Sequence, residues 1–246
     1  LRSVLSDNGL SSSGCSLEVK GVPLLGIVMQ ELTETPVTLT APPDETVNQL
    51  THGLGLALSI VGAMHLVAKV PLEGYLWVGI WVYAIALVAL FAASTLSHSF
   101  VSGPLRTRYR TLDQLCIFAV MAATYTPVSL AVCGESWWNV PMVLMWLMAG
   151  LGVYLKLRVT KEDMVPVWFY IALGAIPALA VPRILQVAGL NGLFWMSAGG
   201  ACYVLGVIFL TNDQKFRYFH AVWHVLVILG SACHYIAIYD YTLGQV

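Results

Sequence analysis

What most constrains this chain is a succession of apolar runs, each about long enough to cross a bilayer. Seven of them fall at about 50–69, 75–97, 113–133, 137–157, 165–185, 193–210 and 220–239. A spanning helix needs roughly 20 mostly apolar residues at about 1.5 Å rise each. In hydrocarbon, only a helix or a closed barrel satisfies every backbone polar group internally. Only 10% of the residues are charged and 58% are hydrophobic, against about 25% charged in an ordinary soluble domain. The fold class this predicts is an all-α, polytopic membrane protein, a seven-transmembrane helix bundle.

Orientation follows from the basic residues. With the N-terminus on side one, that side receives Arg2, Lys20, Arg106, Arg108, Arg110, Lys156, Arg158, Lys161, Lys215 and Arg217, and the other side only Lys69 and Arg183. The positive-inside rule then places the N-terminus in the cytoplasm, and seven spans put the C-terminus outside. Residues 1–43 read as a polar, Ser-rich, disordered tail whose apolar stretch 22–29 is too short to span. Because the chain opens on Leu1, Met29 is a candidate alternative start. Residues 44–246 are the expected membrane domain, and with no soluble domain of catalytic size, any chemistry belongs to the bundle. Asp44 or Thr46 is the expected cap of the first helix, Pro127, Pro177 and Pro182 are expected kinks, and the cysteines (Cys15, Cys116, Cys133, Cys202 and Cys233) read as packing residues and not as a disulfide framework.

Chemistry enters with His220 and His224. Four residues apart on a helix, they share a face about one turn apart, a spacing at which two imidazoles can ligate one ion. The topology brings further polar residues to the same cytoplasmic depth: Ser94 and His98 at the end of span two, Asp113 at the start of span three, and Glu45, Asn48 and His52 at the start of span one. Ionisable groups inside a membrane are costly and mark function by default. His98, His220 and His224 form the expected metal set, three neutral imidazoles suited to Zn2+ with a fourth position open. Asp113 and Ser94 are the expected catalytic residues. Asp113 is placed to orient a water and take its proton, or alternatively to hold a ligand imidazole; Ser94 is placed to hydrogen-bond a water or an oxyanion, or simply a backbone carbonyl. His52 stands at the right depth either as a further ligand or as a neighbour of Glu45 and Asn48. His65 and His234 lie too far along their helices and read as structural.

These residues together resemble the haemolysin III family. The resemblance rests on Glu45, Asn48, Thr51 and His52; on Ser94, Ser97 and His98; on Asp113 with Ile117, Phe118 and Thr124-Tyr125-Thr126-Pro127; and on His220 and His224 through Gly230 to His234. That family belongs with the progestin and adipoQ receptors, including the adiponectin receptors, and is distantly similar to the alkaline ceramidases. The resemblance, over about 44–240, implies a seven-helix bundle with Zn2+ held near the cytoplasmic face by His98, His220 and His224, Asp113 and Ser94 in the adjoining water network, and a lipid-type cavity. Bacterial members of the family commonly carry His-Ser where this chain has Gln114-Leu115, and Tyr where it has Ser97.

The expected function is therefore an intramembrane zinc-dependent hydrolase of a lipid amide or ester, ceramidase-like. The alternatives are a non-enzymatic membrane sensor or regulator with structural zinc, and a pore-forming haemolysin. The expected partner is membrane lipid and not nucleic acid, and the expected location is the plasma (inner) membrane of a bacterium.

Overall fold

The computed structural model describes residues 43–133, 137–160 and 165–243; the expected disordered tail, the alternative start at Met29, and Cys15 lie outside the described residues. Seven α-helices make up most of it: α1 (Pro43–Lys69), α2 (Leu76–Ser99), α3 (Pro104–Val128), α4 (Val140–Tyr154), α5 (Val167–Ala175), α6 (Val181–Leu210) and α7 (Phe219–Ile238). Among the described residues, six helical stretches are long and apolar enough to cross a membrane, so the protein is an all-α, multi-pass membrane protein. Their outer faces carry exposed leucines such as Leu54, Leu58, Leu147 and Leu229, as expected of a wall facing lipid chains.

Two helices start earlier than the apolar runs do. α1 opens at Pro43, which places Asp44 and Thr46 inside its first turn, so neither is its cap. α3 opens at Pro104, because Gly103 adopts φ 93°, a turn that favours glycine, and a proline at the first helical position loses no hydrogen bond. Asp113 therefore lies more than two turns into α3, not at its start.

The bundle is built around α3, 61% of whose apolar window is buried, against 22% for α1. α1 packs on α2, α2 on α3, α3 on α4 and α6 on α7, and α7 closes back onto α1. α2 packs tightly on α3 at Gly79, where an added Cβ would lie 3.1 Å from the Pro127 Cα. α3 runs through Pro127 and then widens into a π-helical turn, Ser129–Cys133. Thr126 steadies this region: its hydroxyl bonds the Ala122 carbonyl at 2.8 Å and accepts the Trp146 indole N–H at 3.1 Å. Cys116, Cys202 and Cys233 are free thiols.

The expected spans at 165–185 and 193–210 lie within one 44-residue apolar stretch, Val167–Leu210. A 3-10 segment, Ile176–Ala180, interrupts it, with Pro177 inside that segment and Pro182 at the start of α6. Gly189, at φ 65° and ψ −168°, breaks the helical path inside α6. The contacts of this stretch travel along the bundle. Tyr170 stacks on Phe118 at 4.8 Å, and the Arg183 guanidinium donates to the Val132 carbonyl at 3.0 Å. Beyond Leu210, Asp213 returns to His220.

Candidate metal centre

The end of α2, the first turns of α1 and α7, the third turn of α3 and the α6–α7 loop meet at one end of the bundle. There His98, His220 and His224 each offer a ring nitrogen to a group lying within 4.8 Å of one another. The ring centroids are 5.2 Å apart for His98–His220, 5.0 Å for His98–His224 and 4.6 Å for His220–His224.

Each ring is held from behind through Nδ1. His98 Nδ1 lies 2.6 Å from Glu45 Oε2, and the other oxygen of Glu45 accepts from Arg106. His220 Nδ1 lies 2.8 Å from Asp213 Oδ2. His224 Nδ1 lies 3.2 Å from the Asn48 carbonyl and 3.1 Å from Thr51 Oγ1. Ionised carboxylates and carbonyls only accept, so in its neutral form each ring carries its proton on Nδ1 and leaves a lone pair at Nε2. Metal-ligating histidines have this same arrangement, with the outer N–H donated to a carboxylate or carbonyl that fixes tautomer and orientation.

The surrounding polar atoms also fit an ion with its water. Asn48 Oδ1, both nitrogens of His52, Ser94 Oγ and Gln114 Oε1 are buried without a hydrogen-bond partner among the described residues. All four of these residues line one cavity with the three histidines. Such atoms are costly to bury unsatisfied, and hydrogen-bonded water at a metal site would satisfy them.

Asp113 shares this wall and interacts with Ser94, whose Oγ completes no well-formed bond to a described protein atom. It is Ser97 that bonds a backbone carbonyl, that of Ser94, at 2.9 Å. Asp113 holds none of the three imidazoles; Glu45, Asp213 and the Asn48 carbonyl occupy those positions. His52 stacks on His224 at 3.5 Å between centroids but is not among the three converging rings. His65 pairs with Tyr235 at 2.7 Å, and His234 with the Met196 carbonyl at 3.2 Å, both away from the cluster.

Asp213 was missed from sequence because it lies in a loop outside every apolar run. Its distance of seven residues from His220 is the only local signal it leaves.

The cavity has a volume of about 840 Å³, within the usual range for ligand pockets. Its mouth carries Arg106, Arg110 and Arg217, and its body is lined by Leu90, Ile117, Met121, Val204, Val207 and Val227. It reaches His234, 14 residues beyond His220 on α7, which is about 21 Å along the helix at 1.5 Å per residue.

The fold and site thus define a multi-pass membrane protein with a three-histidine cluster opening into a cavity between its helices. A profile described as haemolysin-III related matches residues 41–235, and the chain belongs to that family, within the progestin and adipoQ receptor superfamily. It is 32% identical to human monocyte to macrophage differentiation factor over 205 residues, which is 80% of this chain and 84% of that protein. It is 27% identical to the hemolysin-3 homolog of Bacillus subtilis (80% of this chain, 94% of that one). The corresponding value for hemolysin-3 of Bacillus cereus is 28% (81% and 92%).

Removing the support of one ligand gives a graded test of the cluster. Glu45→Gln keeps the size of the side chain but weakens the hold on His98, so metal affinity should fall by roughly 10–100-fold. Competition with a chromophoric chelator measures this; an affinity equal to that of wild type would show that the Glu45–His98 contact does not support a ligand.

Proposed function

We propose that the chain is an intramembrane zinc-dependent hydrolase of a lipid amide or ester, of the ceramidase kind. The observation that carries this reading is that three imidazoles, each with Nδ1 already committed, open into a cavity of about 840 Å³ with an apolar body. A purely structural clamp needs no such cavity. A wide aqueous pore is not served by a body of leucine, isoleucine and valine.

His98, His220 and His224 would hold the ion, and three neutral imidazoles suit zinc. When bound, zinc supplies Lewis-acid polarisation of a carbonyl and makes water more acidic at neutral pH. Glu45 and Asp213 orient two of the rings. Asp113 orients the attacking water and accepts its proton. Ser94 donates to the water or to the developing oxyanion. The apolar wall takes the acyl chain and excludes bulk water, which strengthens every polar interaction at the site.

The same reading includes seven passes with the N-terminus in the cytoplasm. At about 1.5 Å per residue, a straight 44-residue helix would be about 66 Å long, twice the hydrocarbon thickness. We read Val167–Leu210 as two passes that meet near Gly189, supported by contacts that run from Phe118 to Val132 and back to His220. The plasma membrane of a bacterium is the proposed location, supported by the Bacillus relatives.

The test is hydrolysis by the purified, zinc-loaded chain of a panel of N-acyl amino alcohols and acyl esters presented in neutral detergent. Release of fatty acid from at least one class is expected. Full zinc loading with no release from any of them would leave the sensor reading in its place.

A further inference from the structure

Three donors near Asp113 have no hydrogen-bond partner among the described residues. Arg110 lies three residues before Asp113 and Gln114 one after, and both line the cavity. Arg106 is committed to Glu45 and to the Phe100 and Val101 carbonyls, and Arg217 to Asp44. Arg110 makes no hydrogen bond or ion pair with a described residue, yet its charge acts on both Asp113 and His220. Gln114 is buried, at 8% exposure, and neither end of its side-chain amide, the Nε2 donor included, is bonded to a described residue. Tyr170, on α5 across the cavity, brings a third unpartnered group, its hydroxyl, close enough to feel the charge of Asp113.

The charge of the wall points the same way. Asp44, Glu45, Asp113 and Asp213 face three guanidiniums, those of Arg106, Arg110 and Arg217. A divalent cation at the histidines would leave this wall with one net positive charge.

We propose that Arg110, Gln114 and Tyr170 form a head-group subsite for a lipid bearing an anionic phosphate. Resting on the hydrolase reading above, this assigns the substrate class: an acylated lipid whose chain fills the apolar body while its phosphate sits on Arg110 at the mouth. Guanidinium and phosphate form paired, charge-assisted hydrogen bonds, and the amide and phenol supply two further neutral donors. This subsite is separate from the metal ligands and sets which head group enters.

The test uses the full chain, zinc-loaded, in a neutral sugar detergent. Two fluorescent probes are compared, an N-acyl amino alcohol and its O-phosphate ester, differing only in the phosphate. Wild type should bind the phosphorylated probe tighter by roughly 10-fold or more, the scale of a hydrogen bond to a charged group. R110Q should bring the two affinities to within about threefold, with zinc content unchanged. R108Q, an exposed arginine two residues away that does not line the cavity, should keep the preference.

Equal binding of both probes by wild type would overturn the proposal. So would the same loss in R108Q, which would make the effect one of surface charge, or displacement by inorganic phosphate at the concentration of the lipid probe. Preferential binding without hydrolysis would keep this subsite and remove the hydrolase reading. Hydrolysis of both probes without preference would do the reverse.

Discussion

Asp113→Asn is expected to lower the rate of acyl amide or ester hydrolysis by roughly 10²–10⁴-fold, the range contributed by a positioned general base, while the protein keeps its metal. The asparagine preserves shape and can still orient a water, but it cannot accept a proton. Asp113 holds none of the three imidazoles, whose Nδ1 partners are Glu45, Asp213 and the Asn48 carbonyl with Thr51. Metal content should therefore be independent of this substitution. Turnover on a fluorogenic acyl substrate, with elemental analysis on the same sample, measures both quantities. Unchanged turnover would remove Asp113 from the chemistry; loss of metal together with turnover would make it a support of the metal site instead.

Stripping the ion should have the second large effect. The histidines come from α2 and α7, and their supports from α1 and the α6–α7 loop, so one ion would tie together elements distant in sequence. A ligand that binds only the folded state stabilises it by about 4 kcal/mol when present at about 1,000 times its dissociation constant. A high-affinity chelator should therefore abolish turnover and lower the thermal midpoint in detergent, and added zinc should restore both. A midpoint that falls while turnover persists would favour the structural-clamp reading. Turnover and midpoint both indifferent to the chelator would count against a metal role altogether.

Membrane class and the partners of the cluster were legible for different reasons. Apolar runs announce spanning helices because the bilayer requires length and hydrophobicity together. His220 and His224 were legible because helical spacing places them on one face, and His98 because topology brings the end of α2 to the same depth. Helix starts were less legible: Pro104 begins α3 nine residues before Asp113, since the interfacial turns of a membrane helix are polar and hydropathy does not register them. The supports of the rings were harder still. Glu45 meets His98 across 53 residues and Asn48 meets His224 across 176, contacts created by helix packing that no local period encodes. Asp213 sits in a loop, where a carboxylate is unremarkable until the fold turns it towards His220. The stretch from Val167 to Leu210 was legible at this point: the gap between the expected spans 165–185 and 193–210 holds Gly189, the positive-φ glycine that breaks the helical path, although no polar loop marks it.

Counting the metal in wild type and in His98→Ala by inductively coupled plasma mass spectrometry tests the central claim most directly, because His98 lies on α2 and the other two histidines on α7. The account predicts one zinc per wild-type chain and almost none in the variant, with the variant still folded by circular dichroism. Zinc retained in full by His98→Ala, or absent from wild type purified with zinc present, would contradict a site shared by the two helices.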